Sequence, residues 1–274
     1  MDAVPVTLGQ EFSGYAAQVR QGIARVGDVL PRLGQIPLGG TATGTGLNTH
    51  PEFAAKVRAL LHADTGLPVS PPADAFESQA ARDGLVEASG ALKVVAVSLT
   101  KIANDLRLMG SGPRAGLSEL FLPELQKGSS IMPGKVNPVI PEVVNQVCFD
   151  VIGGDVTVTL AAEAGQLQLN VFEPVIAYRL LRSIETLKNG CIVLRQRCVE
   201  GITANPGRMR LFVEQSIGIV TALVPAIGYD NATSVAKEAL ETGKGVYEIV
   251  LARQLLTREQ LDRALDPEAM TGTR

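Results

Sequence analysis

The chain is poor in the residues that build disulfide frameworks, zinc sites and aromatic binding platforms. Its 274 residues include no tryptophan, and only 4% are aromatic, so the core must be built from aliphatic side chains. Cys148, Cys191 and Cys198 are odd in number and form no CxxC pair, which argues against a disulfide framework or a zinc site. Because disulfides persist in oxidising compartments, these thiols favour a reducing one, and we expect a cytoplasmic location.

The chain also lacks a strong charge of either sign. Its formal net charge is −3, with acidic and basic residues interspersed, which gives no electrostatic basis for binding nucleic acid or an anionic membrane surface. No apolar run reaches the length of a membrane span. The first residues, MDAVPVTLGQ, lack the basic and apolar regions of a secretory signal. We therefore expect no nucleic-acid partner and no membrane partner.

Apolar residues instead repeat at the period of long α-helices. From 85 to 109 they alternate steps of three and four residues, which is the heptad seam of a long bundle helix. Segments 12–33, 140–169 and 175–198 share this period. Within the second of these, VTVTL at 156–160 is typical of a strand when taken alone, but the flanking pattern favours a helix. Because no strand–helix–strand alternation is present, the sequence predicts an all-α long-helix bundle.

The pattern changes near residue 205. Shorter helical pieces follow, separated by glycines and by a TREQ capping box from Thr257 to Gln260. The sequence thus predicts a central helical-bundle domain over residues 1–205 and a small C-terminal helical domain over residues 206–274.

Several polar features are explained better by structure than by chemistry. The glycine-rich stretch 39–50 lacks the Lys-Ser/Thr ending of a phosphate-binding loop and indicates tight turns. His50 and His62 have no carboxylate or cysteine partner at a ligand spacing. An arginine in a turn, such as Arg114, more often ties loop carbonyls or a neighbouring acid than clamps an anion. The amides of GQLQLN at 165–170 more often cap a helix end than line a polar site.

One segment, GSSIMPGKVNP at residues 128–138, is different, and it is called the polar loop below. A plain surface loop is the simpler explanation. However, Ser129 and Ser130 offer hydroxyls, one of them as a proton acceptor. Lys135 offers a fixed positive charge for a carboxylate, and Asn137 offers a neutral amide donor. A helix beginning directly after the loop would place these groups at its positive end, where anions are stabilised. Such a set suits chemistry on a dicarboxylic acid.

The polar loop and its flanks resemble the aspartase/fumarase superfamily. GSSIMPGKVNP matches the signature loop of that superfamily, and LGGTATGTGLNTHPEF, SGPRAGL and the helical tail extend the resemblance over essentially the whole chain. The resemblance implies an all-α homotetramer whose active sites are shared between subunits. It also implies a small dicarboxylate substrate and neither a metal nor an organic cofactor.

Two branches of the superfamily are resembled. LPELQKGSSIMPGKVNPVIPEVVNQV and AAEAGQLQLNVFEPVIAY are similar to aspartate ammonia-lyases, whereas LGGTATGTGLNTHPEFA and LVEASGALK are similar to class II fumarate hydratases. We favour the first branch, which eliminates ammonia reversibly from L-aspartate to give fumarate through an aci-carboxylate carbanion. The second branch stays an alternative, because both would use the same lysine and asparagine. A third alternative is a non-catalytic helical assembly module.

The resemblance also implies a role for each matching residue. Ser129 would be the base that removes the Cβ proton of the substrate. Ser130, Lys135 and Asn137 would bind the substrate, and Glu142, one turn into the following helix, would orient a histidine. Proton removal beside a carboxylate creates a dianion, whose stabilisation is the main catalytic task. A serine is a weak base unless amide donors or a helix end stabilise its anion.

The chain departs from the superfamily at its beginning. Members carry an N-terminal domain with a Ser/Thr-rich substrate loop, and a Thr-His pair immediately before the segment that reads MDAVPVTLGQE here. This sequence contains neither. We therefore expect that the chain is N-terminally truncated, that the histidine partner of Glu142 is absent, and that the chain alone is inactive or nearly so.

Overall fold

The computed structural model describes residues 2–272, which are dominated by helices and so confirm the all-α class. Two two-residue strands, β1 (Leu120–Phe121) and β2 (Thr203–Ala204), pair antiparallel. Short 3-10 helices cover Val199–Gly201 and Ile217–Leu223. The α-helices are α1 (Leu8–Asp28), α2 (Leu30–Leu33), α3 (Phe53–Thr65), α4 (Ala75–Ala80), α5 (Asp83–Met109), α6 (Val139–Glu163), α7 (Glu173–Arg197), α8 (Pro206–Gln215), α9 (Val224–Ile227), α10 (Tyr229–Thr242), α11 (Val246–Ala252), α12 (Arg258–Ala264) and α13 (Pro267–Thr271).

The chain divides into two compact units. The bundle unit consists of residues 16–108 and 122–202, and the terminal unit of the described parts of 1–15, 109–121 and 203–274. The division at 202–203 lies close to the expected change near residue 205, and the terminal unit also takes in two earlier segments. The assignment of 1–205 and 206–274 as domains stays a prediction.

The longest helices of the bundle unit are α5, α6 and α7. The heptad seam predicted from 85 to 109 is α5, and its buried members include Leu92, Leu99, Ile102 and Leu106. The VTVTL segment is helical within α6, as the flanking pattern predicted. Val158 in its middle is 1% exposed, because a helix turns this one side chain inward while its apolar neighbours two positions away face out.

Two predicted helices differ from those observed. The segment 12–33 forms α1 and α2, with Pro31 in the first turn of the second helix. The segment 140–169 was predicted as one helix, but α6 ends at Glu163. At this end the Asn170 amide donates to the carbonyls of Ala161 and Ala162, each at 3.0 Å, and beyond it Leu167 adopts a left-handed conformation with φ 53°. Asn170 therefore caps a helix end, as predicted for the amides of GQLQLN.

By length and composition alone, α6 is apolar enough to cross a membrane, contrary to the expectation above. Core helices of soluble proteins pass the same test. α6 also carries the buried carboxylate of Asp155, which binds Lys93 of α5 at 2.6 Å. This ion pair fixes α6 against α5, because an unpaired buried carboxylate would be strongly unfavourable.

The terminal unit has a core of its own, formed by α9 to α12 and the 3-10 helix before them. Leu223, Val235, Val250 and Leu261 are fully buried there. The predicted capping box is present: the Thr257 side chain accepts from the backbone N–H three residues on, and that residue's side chain accepts from the Thr257 N–H.

Candidate active site

The polar loop closes on itself at its base. The backbone N–H of Gly128 donates to the carbonyl of Lys135 at 2.7 Å, and Lys127 pairs with Val136 in an antiparallel bridge. The Asn137 amide donates to the Gly128 carbonyl at 3.3 Å. A Cβ on Gly128 would stand 2.7 Å from the Lys135 carbonyl oxygen, so only glycine fits at this position.

Within the closed loop, Ser129 has the surroundings that a serine base needs. Its Oγ accepts hydrogen bonds from the backbone N–H groups of Ile131 at 3.1 Å and Met132 at 3.0 Å. Both donors would strengthen on an alkoxide, because charge-assisted hydrogen bonds are stronger than neutral ones. The amide donors that the sequence analysis required for activation are therefore supplied by the loop itself.

The other loop residues lie around this serine with different exposures. Ser130 and Lys135 are exposed, and within residues 2–272 the Lys135 ammonium forms no ion pair. Asn137 is half-buried, and one of its two amide hydrogens is engaged with Gly128. Its second hydrogen can still be donated to a ligand. The structure thus brings the four loop residues together on one short segment, directly before the N-terminus of α6.

Glu142 lies in the first turn of α6, where the helix dipole favours a carboxylate. Its Oε1 is 3.8 Å from the Arg107 guanidinium, and both side chains are about two-fifths exposed, at 36% and 41%. The sequence analysis missed Arg107. No local pattern in the sequence indicated it, because its partner Glu142 lies on another helix.

Two loop carbonyls in the SGPRAGL segment are bound by Arg208 of α8. Its Nε donates to the Leu117 carbonyl at 3.1 Å and its Nη2 to the Gly116 carbonyl at 3.3 Å. Arg114 is exposed, and among the described residues its side chain forms no hydrogen bond or ion pair. The expected contact of Arg114 with loop carbonyls or a neighbouring acid is therefore not observed.

Both histidines are engaged with nearby backbone rather than with a catalytic partner. His50 Nδ1 accepts from the Glu52 N–H at 3.2 Å, and His62 Nδ1 lies 2.7 Å from the Leu67 carbonyl. The glycine-rich stretch 39–50 forms turns with several positive φ angles, as predicted. These features hold the local chain and leave the polar loop as the centre of the site.

Two of the three cysteines are poor nucleophiles in this fold. Burial raises the pKa of the Cys148 thiol, and it raises the pKa of Cys198 to about 11, whereas Cys191 is exposed. Since the thiolate is the reactive form, the two buried thiols are largely unreactive near neutral pH. Within residues 2–272, no group of three or more His, Cys, Asp or Glu residues could hold a metal ion.

Comparison with known proteins places this loop and fold among lyases. Residues 1–153 match a family model described as "Lyase", and residues 219–272 match one described as "Fumarase C C-terminus". An aspartate ammonia-lyase of Helicobacter pylori is 53% identical over 98% of this chain and 58% of its own length. A class II fumarate hydratase of Mycobacterium tuberculosis is 55% identical, also over 98% of this chain and 58% of its own length.

Solved structures agree. A fumarate lyase:delta crystallin from Brucella melitensis matches with a TM-score of 0.94 and 48% identity, over 98% of this chain and 58% of that one. A class II fumarase from Schistosoma mansoni matches with a TM-score of 0.95 and 35% identity, over 100% and 60%. The chain thus spans about three-fifths of the length of these relatives, 58% for both curated ones. With a family model covering more than half of its residues, the chain belongs to the lyase family that contains aspartate ammonia-lyases and class II fumarate hydratases.

Proposed function

We propose that this chain supplies the proton-abstracting loop of an aspartate ammonia-lyase. The observation that carries the proposal is the pair of backbone N–H groups that donate to Ser129 Oγ. A serine held this way can exist as an alkoxide, because each well-placed oxyanion donor is worth about 3 kcal/mol in enzymes where one has been removed. No comparable hydroxyl is needed for packing, since the loop is on the surface.

The proposed reaction follows from these groups. Ser129 removes the Cβ proton of L-aspartate, and the electron pair moves into the adjacent carboxylate to give an aci-carboxylate dianion. Lys135 and Asn137 hold the carboxylate oxygens and stabilise the added charge, with Ser130 assisting through its hydroxyl or amide. The dianion then collapses, the Cα–N bond breaks and ammonia leaves, which gives fumarate. Glu142 orients a histidine that other residues of the enzyme supply.

The sequence that flanks the polar loop, rather than overall identity, favours L-aspartate as the substrate. The two curated relatives are nearly equally similar, at 53% and 55%, so identity does not separate an amino from a hydroxyl leaving group. The stretches LPELQKGSSIMPGKVNPVIPEVVNQV and AAEAGQLQLN favour aspartate. The second candidate is fumarate hydratase, which the Mycobacterium tuberculosis relative favours.

We also propose a homotetramer with shared active sites. The long helices carry many exposed apolar side chains, and contiguous apolar surface of this kind marks interaction sites. On α6 and α7 the exposed members are Val143, Phe149, Val156, Leu160, Val175, Tyr178, Leu181, Ile184 and Ile192. Light scattering of the purified chain tests this proposal, and a well-folded monomer would contradict it. A cytoplasmic location stays a prediction.

The activity is tested by following fumarate formation from L-aspartate and from L-malate. We expect the chain alone to form little or no fumarate. After mixing with the segment of the Helicobacter pylori relative that this chain does not match, we expect fumarate from aspartate, and Ser129→Ala should abolish it. Fumarate formed from L-malate but not from L-aspartate would identify a hydratase. No product from either substrate in a folded, assembled complex would favour the non-catalytic module.

A further inference from the structure

Four polar side chains meet across the seam between α5 and α6, one turn beyond the polar loop. Asn104 and Arg107 come from α5, and Glu142 and Asn145 come from α6. In this antiparallel pair of helices Asn104 lies opposite Asn145, and Arg107 lies opposite Glu142. Because the two residues on each helix are three positions apart, the four side chains form one connected set, called the polar square below.

The contacts within the polar square run from the interior to the surface. Asn104 Oδ1 accepts from Asn145 Nδ2 at 2.8 Å and from Arg107 Nη1 at 3.4 Å. The other side of the guanidinium faces Glu142 at 3.8 Å. Asn145 is 4% exposed, whereas Arg107 and Glu142 are partly open to solvent. The Arg107 guanidinium therefore donates on one side to the Asn104 amide oxygen, and its other side faces the Glu142 carboxylate.

The polar square is not built for packing alone. Among residues 2–272, Arg107 Nε and Asn145 Oδ1 are buried and have no hydrogen-bond partner. A buried polar atom without a partner destabilises a fold, and well-packed apolar side chains of similar volume often serve a helix seam as well or better. At the buried Asn145 a well-packed apolar side chain would leave no polar atom unpaired, so packing alone does not account for an amide at this position.

We propose that Arg107 is a positioning residue that fixes the Glu142 carboxylate, and that Asn104 and Asn145 hold Arg107 in place. This inference rests on the proposed role of Glu142 in orienting a histidine. Glu142 has three rotatable bonds and stands at the start of a helix, so one partner on α6 alone would not define its direction. The guanidinium of α5 supplies a rigid, planar partner from the neighbouring helix.

Carboxyl footprinting of the purified chain tests the inference without any need for activity. A carbodiimide and an amine label accessible carboxylates, and mass spectrometry measures the labelling rate at each position. In Arg107→Gln we expect Glu142 to label about two to five times faster, the range for loss of a half-exposed ion pair. Arg107→Lys keeps a charge and should restore most of the protection. The buried Asp155 should stay unlabelled in both variants.

A matched control and a second variant separate positioning from general loosening. Arg182→Gln removes a similarly exposed pair with Asp150, at 3.4 Å between α7 and α6, and should leave Glu142 labelling unchanged. Asn145→Leu removes the inner support but fills the same space. Asn145→Leu should speed Glu142 labelling and leave the free energy of unfolding unchanged or higher. If Asn145 served packing alone, the same variant would lower the free energy of unfolding.

The labelling rate of Glu142 decides the question. A rate in Arg107→Gln equal to that of the parent overturns the inference, whatever the activity of the enzyme. If labelling of Asp155 shows that this variant has unfolded, Asn145→Leu is judged by the same criterion. Failure of the folded complex with the Helicobacter pylori segment to form fumarate from L-aspartate refutes the proposed function instead and leaves the labelling comparison standing.

Discussion

Removing the side chain of Asn170 should destabilise the fold strongly. Asn170 is 3% exposed, and its amide group makes three hydrogen bonds: to the carbonyls of Ala161 and Ala162, each at 3.0 Å, and from the N–H of Phe172 at 2.8 Å. It thus joins the end of α6 to the start of α7. At about 1 kcal/mol for each bond, and more where a partner is left buried, Asn170→Ala should lower the free energy of unfolding by about 3–4 kcal/mol.

Urea unfolding followed by far-ultraviolet circular dichroism measures this difference. Asn189→Ala is the matched control, because Asn189 makes a single exposed hydrogen bond to Glu185 at 3.1 Å and should change stability by less than about 0.5 kcal/mol. Asn170→Asp keeps an acceptor for Phe172 but turns a carboxylate oxygen toward two carbonyls, so it should be at least as destabilising at neutral pH. If Asn170→Ala stays within about 1 kcal/mol of the parent, the hydrogen-bond reasoning is wrong.

Three further outcomes follow from contacts described above. Gly128→Ala should open the base of the polar loop, because its Cβ would stand 2.7 Å from a carbonyl oxygen, and tryptic cleavage within the loop should accelerate. Lys93→Ala should leave the 7%-exposed Asp155 carboxylate unpaired and lower the unfolding free energy by about 3 kcal/mol, against little change for the exposed Lys188→Ala. The raised pKa of Cys198, about 11 against 9.0 for a free thiol, means that the folded state holds this proton more tightly. Its contribution to stability is complete below pH 9 and is lost as the pH rises toward 11, so Cys198→Ala should flatten the fall in stability over that range.

The fold was largely predictable because its long helices repeat locally. The heptad seam of α5 can be recognised in any short window of its sequence. The helical pattern on both sides of VTVTL correctly predicted a helix there, although VTVTL alone is typical of a strand. The end of α6 was predicted too late, at 169 rather than at Glu163. The carbonyls of the last turn are bound by the Asn170 amide, which reaches back nine and eight residues along the chain. This contact does not depend on a local pattern of hydrophobicity.

The same contrast between local patterns and contacts distant in sequence applies to the candidate site. The polar loop could be located because Ser129, Lys135 and Asn137 lie on one short segment. Arg107 could not, because its partner is on another helix and no motif joins the two. The carbonyls near Arg114 are likewise bound from far along the chain, since Arg208 lies 91 residues from Leu117. Sequence spacing reports neighbours along a helix or loop and says little about partners across a seam.

The two amide groups at Ser129 come from positions two and three residues later in the same loop. The environment of Ser129 is therefore encoded in a handful of consecutive residues and is closed by hydrogen bonds at the loop's own ends. With Ser129 as the proposed base, residues elsewhere that recognise an amino or a hydroxyl group can change without rebuilding the loop. The proposal thus allows one loop to serve different leaving groups, which fits a chain about equally similar to an ammonia-lyase and to a hydratase.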